Sequence, residues 1–180
     1  MIDTPTTSWF PDESLEGSLW IKLPDSSRLW VYVADRLLST SENDRVAENA
    51  ERFTAAWAAH GTELTASWKL QGSRVLLIAL DEGQAGASGC SIDASVQFMQ
   101  RLGEKETPAI DWMQRDQVLH RAAESSVWEE STLSAFWMAR KAGLVRDDTL
   151  VINTLCSNKG EWESQSTPLF QESWHNEMWK

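Results

Sequence analysis

The sequence predicts an α+β fold, and three observations lead there. Between residues 18 and 105 the hydrophobic periodicities run strand, helix, strand, strand, helix. The first and third of these strands are apolar almost throughout, whereas the second alternates. That contrast matches a split β-α-β unit, whose middle strands are the first and third. With 180 residues, 42% of them hydrophobic, the chain is long enough to bury a proper core. The expected architecture is a ferredoxin-like antiparallel sheet with two helices, followed by a small C-terminal α/β extension.

Each element follows from its residues. Positions 1–17, rich in Thr, Ser, Pro and acids, read as a loose N-terminal arm. The main domain, 18–105, opens with two strand-like runs, SLWIKL and RLWVYVA, separated by PDSS as a turn. In the next stretch Val46, Ala50, Phe53 and Trp57 recur at helical spacing. Ser39 and Glu42 supply a capping box there, and Gly61 a C-terminal stop that leaves His60 closing the helix. ELTASWKLQ alternates cleanly and predicts a half-buried strand. Gly72-Ser73 reads as a two-residue hairpin turn, placing Gln71 opposite Arg74 and Leu64 opposite Asp81. RVLLIAL follows as a central strand, and Ile92, Val96, Met99 and Leu102 form a second helical stripe ended by Gly103. GEKETPAI reads as a linker into the extension, 106–180. There WMQRDQVLHRA suggests a strand, STLSAFWMARKAG a short helix and TLVINTL a last strand, before a wrapping tail.

Charge and composition exclude several roles. Sixteen basic residues face 27 acidic ones, for a net charge of −11. Such a field repels nucleic acid and anionic lipid, since phosphate-backbone affinity comes from basic side chains. No apolar run reaches the length of a membrane span, and the N-terminal residues lack the basic and apolar regions of a signal peptide. The expectation is a cytoplasmic protein that meets neither membrane nor nucleic acid. Two cysteines make no disulfide framework, and the scattered Cys and His residues give no metal-ligand spacing, so neither metal nor cofactor is expected. Eleven Trp stand against one Tyr. Trp128, Trp162, Trp174 and Trp179 fall in the C-terminal third, either packing against the main core or forming a partner-binding face.

One stretch carries candidate chemistry: DEGQAGASGCSID, residues 81–93. The predicted register gathers Arg28, His60, Asp81, Cys90, Ser91 and Asp93 at one rim of the sheet. Cys90 stands at a predicted helix N-terminus, which favours thiolate, and His60 or His175 is a candidate base. The amides of the Gly86 and Gly89 loop would bind a small anion or stabilise an oxyanion. Against this, Asp93 and the acidic field oppose a thiolate. Ser91 and Asp93 have ordinary roles as helix-capping and first-turn residues, and a cysteine under a loop is commonly structural. The loop is not a P-loop, because its glycines are spaced one residue too far apart and Cys90 stands where the lysine belongs.

RLWVYVADR, WAAHG, DEGQAGASGCSIDASV, DDTLVIN and PLFQESWH together resemble a family of short Bacteroidetes proteins, commonly labelled "ABC transporter ATPase". The likeness runs from about Leu23 to His175, and GASGCSID is its most specific string. It implies attention to Trp57, His60, Cys90, Ser91, Asp93, Trp174 and His175. The label does not carry over, for this chain has no Walker A lysine and no ABC signature. A second, shorter likeness relates ESTLSAFWMARKAGLVRDDTLV to part of the GYF-like modules. Two functions follow as expectations. One is a noncatalytic adaptor or regulatory module with a Trp-rich partner surface. The other is a thiol-dependent enzyme or small-anion-binding protein using Cys90 with His60 or His175.

Overall fold

The computed structural model describes residues 14–83 and 85–179, so positions 1–13 of the expected arm lie outside the described residues. The protein is α+β, with antiparallel sheets and five α-helices among the described residues. Its main sheet contains β1 (Ser14–Glu16), β2 (Arg28–Val33), β5 (Thr65–Gln71) and β6 (Val75–Asp81), in the order β1-β5-β6-β2. Between β2 and β5 come α1 (Thr40–Ala56) and a small hairpin of β3 (Ala58–Ala59) and β4 (Thr62–Glu63). Helix α2 (Gly89–Glu104) follows β6.

Strand β6 is the centre of the molecule because its sequence is apolar on both faces. Leu76, Ile78 and Leu80 face α1 and α2, together with Ala66, Trp68 and Leu70 of β5. Val75, Leu77 and Ala79 face the other way, with Leu29 and Val33 of β2. Leu76, Leu77, Ile78 and Leu80 are all at most 1% exposed, and each such burial contributes roughly 1.5–3 kcal/mol.

The second face is covered by the C-terminal third. Strands β7 (Gln117–Arg121), β8 (Glu129–Thr132) and β9 (Leu150–Val151) form a sheet in the order β8-β7-β9. Leu119, Trp128, Ile152, Cys156 and Trp162 from this part share a core with the main sheet. Helix α3 (Leu133–Lys141) places Phe136 in a further small core with Val118, Val151 and Phe170. Two short helices, α4 (Lys159–Gln165) and α5 (Trp174–Trp179), occupy what the sequence suggests is an irregular tail. Residues from β7 onward thus form a third layer under the sheet, whereas Ile110 and Trp112 still pack on the helix side.

The ferredoxin-like order is not what the sheet adopts. That order would put a fourth strand after α2, against the free side of β2. The fourth strand here is β1, attached to the opposite edge at β5. After α2 the chain is instead held close, with the Ile110 N–H donating to the Gly103 carbonyl at 3.1 Å. It then departs to β7 in the other sheet.

Three local expectations also need correction. SLWIKL is not a strand but contains a 3₁₀ turn at Trp20–Lys22. Its buried residues, Trp20 and Leu23, stand three apart, while Ile21 is 80% exposed. Gly72 and Ser73 do form the turn, at φ 59° and 52°, with the Arg74 N–H on the Gln71 carbonyl. The ladder, however, pairs Gln71 with Val75, one residue later than expected. Arg74 is the extra residue. Its carbonyl accepts from the Ala34 N–H, and its buried guanidinium donates to the Ala34 carbonyl and pairs with Glu130. Lastly, His60 does not close α1, which ends at Ala56; His60 (φ 51°) and Gly61 (φ 82°) form the tip of the β3–β4 hairpin.

Candidate functional site

Where the fourth strand would have run, β2 borders a groove of about 440 Å³. Its floor is Trp30 to Val33, with Trp112 and Met113 on one side and Leu155 and Trp174 on another. The backbone of β2 explains why it stays open. Strand alternation sends every second residue's N–H and C=O to the same side. The Ala34 N–H points inward to Arg74. By contrast, the Leu29 N–H reaches outward to the Ser157 carbonyl at 2.9 Å, and the Asp35 N–H to the Asp111 carbonyl at 3.1 Å. Val31 and Val33 share that outward direction. They lie between the two contacts, facing the groove.

Indole hydrogen bonding sets this region apart from the rest. Trp20 donates to Glu163, Trp57 to the Ser91 carbonyl, Trp68 to Glu51 and Trp162 to Gln71, at 2.6–3.3 Å. Trp112 and Trp174, both bordering the groove, have buried indole nitrogens with no hydrogen-bond partner among the described residues, and the Gln117 side-chain oxygen, also of a bordering residue, is in the same state. A buried polar group left unpaired costs roughly 1–3 kcal/mol. Three of them cluster on the walls of one groove. Tyr32, on its floor, has its pKa raised by burial, against the opposing pull of a hydrogen bond to Ser95 and of the Arg115 charge.

The glycine-loop rim assembles in part. Arg28 lies near the loop, pairing with Glu82 at 3.6 Å and covering the Trp30 ring at 4.7 Å. Asp81 accepts from the Gly83 N–H at 2.9 Å, and Glu82 accepts from the Ala87 N–H at 3.2 Å. Two amides of the loop, those of Gly83 and Ala87, are thus engaged by the chain's own carboxylates. Ser88, not Cys90, caps α2, in a reciprocal capping box with Ser91. Gly89 and Cys90 are exposed in its first turn, where Ser91 is buried; Asp93, expected in that turn, is exposed one residue beyond it, and the first turn holds no acid. His60 is exposed on its hairpin tip.

His175 is not at this rim. It is buried against Trp174, 3.7 Å between ring centroids, and against Phe136 at 5.5 Å. Burial, with His120 nearby, lowers its pKa to about 4. Cys156 is buried as well, and its thiol is pushed up to about 11, chiefly by desolvation. The four C-terminal tryptophans do not share a face. Trp128 and Trp162 lie in the core under the sheet, Trp174 borders the groove, and Trp179 stacks near Trp137 at 5.5 Å. The tryptophans and other aromatics form two clusters, one around Trp30, Phe53 and Trp57 and one around Phe136, Trp137 and Trp174.

Among the described residues no helix is long and apolar enough to cross a membrane. Comparison with family models, with curated proteins and with solved structures returns no match. The site therefore stands on its own geometry.

Sequence reasoning missed the groove because its walls come from four distant segments. RLWVYVA is apolar on both faces, as befits a strand covered on each side, but that pattern does not show whether its edge is paired.

Proposed function

We propose that the protein is a noncatalytic adaptor or regulatory module that docks a segment of a partner protein in the groove beside β2. The observation that carries this reading is the coincidence, on one groove, of outward backbone groups at Val31 and Val33 with unpaired indoles at Trp112 and Trp174. Such a groove, mostly apolar with a few convergent polar groups, is what ligand sites have in common. Relative to a ferredoxin-like sheet, it takes the place of the fourth strand. The partner face so defined uses Trp30, Trp112 and Trp174 rather than Trp128 and Trp162.

The thiol-enzyme reading has less behind it. His175 is buried against Trp174, and two of the loop amides, those of Gly83 and Ala87, are engaged by Asp81 and Glu82.

A photo-crosslinking amino acid placed at Leu155, 64% exposed on the groove wall, tests the proposal in the organism's own lysate. A discrete crosslinked protein is expected there and not from a probe at Ile21, which is 80% exposed and away from the groove. Equal labelling from both positions, or none from Leu155, refutes it.

A further inference from the structure

The docking groove also indicates what form its occupant takes. We infer that the groove accepts an extended peptide as an added strand on the edge of β2, apolar at alternate positions and carrying a carboxylate. This rests on the groove being the partner site, and it adds the conformation and chemistry of the ligand.

The backbone argument comes first. An edge strand offers unpaired N–H and C=O groups as a template for another strand. On β2 that template is already used at both ends by this chain. The Leu29 N–H and Asp35 N–H each bond a carbonyl of another segment, Ser157 and Asp111, and Arg28 and Asn158 form an antiparallel bridge. In register with that bridge, Leu155 and Asn153 would come opposite Val31 and Val33. They do not, because the Asn153 N–H donates to the Ser166 carbonyl and the Leu155 N–H to the Asn153 side chain. The chain leaves the edge at Ser157, so among the described residues nothing pairs with the outward N–H and C=O groups of Val31 and Val33, which can receive another strand. The gap between Leu29 and Asp35 is about 20 Å at strand rise, room for a segment of about five residues.

Charge completes the description. Of the described residues bordering the groove, Arg115 alone is charged, and it is exposed. On a chain of net charge −11, a lining with one guanidinium and no carboxylate suits an acidic segment. Tyr32 and Val96 lie toward the helix layer, and Thr154 and Leu155 toward the other, so both faces of an added strand meet side chains. Its specificity would come from these alternate contacts and its orientation from Arg115.

The test is a display selection of random octapeptides against the full chain, followed by affinity measurements on the recovered peptides. Expected are peptides with apolar residues at alternate positions and at least one Asp or Glu, whose binding Leu155→Glu blocks. Single N-methylation of the peptide backbone should then weaken binding at least tenfold at every second residue and little between. Arg115→Glu should weaken it at least tenfold. Val31→Pro should do the same, since it removes an outward N–H that no described residue of the chain uses. The N-methyl series leaves the protein untouched, so it decides the matter even if the proline variant fails to fold. Peptides blocked by Leu155→Glu but indifferent to N-methylation would overturn strand addition while leaving the groove as the partner site. Failure to recover any peptide that Leu155→Glu blocks would overturn both. Binding that proves to be a second copy of this chain, seen as concentration-dependent dimerisation lost with Leu155→Glu, would overturn the acidic peptide as occupant.

Discussion

Replacing Glu42 with Gln isolates one buried charge at the start of α1. Its carboxylate accepts from the Ser39 N–H and Ser39 hydroxyl, each at 2.8 Å, and from both terminal nitrogens of Arg36 at 2.7 and 3.1 Å. The Glu42 side chain is 7% exposed. The Arg36 hydrogen bonds, foremost among these contacts, bring its pKa from 4.5 down to about 2. A fall of that size corresponds to about 3 kcal/mol of folding stability at neutral pH. Because the folded-state value is the lower one, this stability is fully present above about pH 5 and drains away as pH falls toward 2. Glu42→Gln retains the shape and the capping hydrogen bond to Ser39 but not the charge. Urea unfolding at pH 7 should therefore show a loss of about 3 kcal/mol. At pH 3 the gap between variant and wild type should shrink to about half. Curves that stay parallel from pH 7 to pH 3 would refute the reasoning, because the lost contact would then not depend on ionisation.

Three further outcomes follow from the packing. His175, held neutral by burial with its pKa at about 4, costs the wild type up to about 3 kcal/mol as pH falls from 6.5 to 4, since only the unfolded chain takes up the proton; His175→Phe should flatten that part of the pH–stability curve. A Cβ on Gly103 would stand 2.0 Å from the Ile110 carbonyl oxygen, so Gly103→Ala should cost about 1–3 kcal/mol, and an unchanged thermal midpoint would contradict this. Ellman's reagent should titrate one thiol in the native protein, the exposed Cys90, and the second, Cys156, only after denaturation.

The elements that were legible in the sequence are those whose pattern is set locally. Ser39 and Glu42 announce α1, and alternation in TASWKLQ announces β5, because capping and pleating involve neighbours along the chain. The β5–β6 register was not legible, since β6 is apolar on both faces and either register buries it. What decides is Arg74, whose backbone and guanidinium bind Ala34 forty positions away. The same holds for the candidate site. Composition could flag Cys90 and the tryptophans, but whether Trp128 is core or surface depends on the third layer lying under the main sheet. Ser88 rather than Cys90 caps α2 because a hydroxyl accepts the amide hydrogen bond better than a thiol does.

An open strand edge is normally a hazard, because it can pair indefinitely with other chains. The two edges of the main sheet meet that hazard differently. At one, the described residues of β1, Ser14–Glu16, are all exposed and include the charged Glu16, which pairs with Lys69. At the other, β2 is six residues long, but Ser157 and Asp111 occupy its two ends and leave only the middle. Complete closure would have needed only that Asn153 and Leu155 continue along β2. Instead these residues turn away, and the groove they leave has walls with indoles that lack partners. A purely protective edge has no use for such walls. A stoppered edge with an unsatisfied lining is suited to a short, extended guest and unsuited to unlimited self-pairing. That combination is the physical reason to look for a peptide at β2 before looking for a substrate at Cys90.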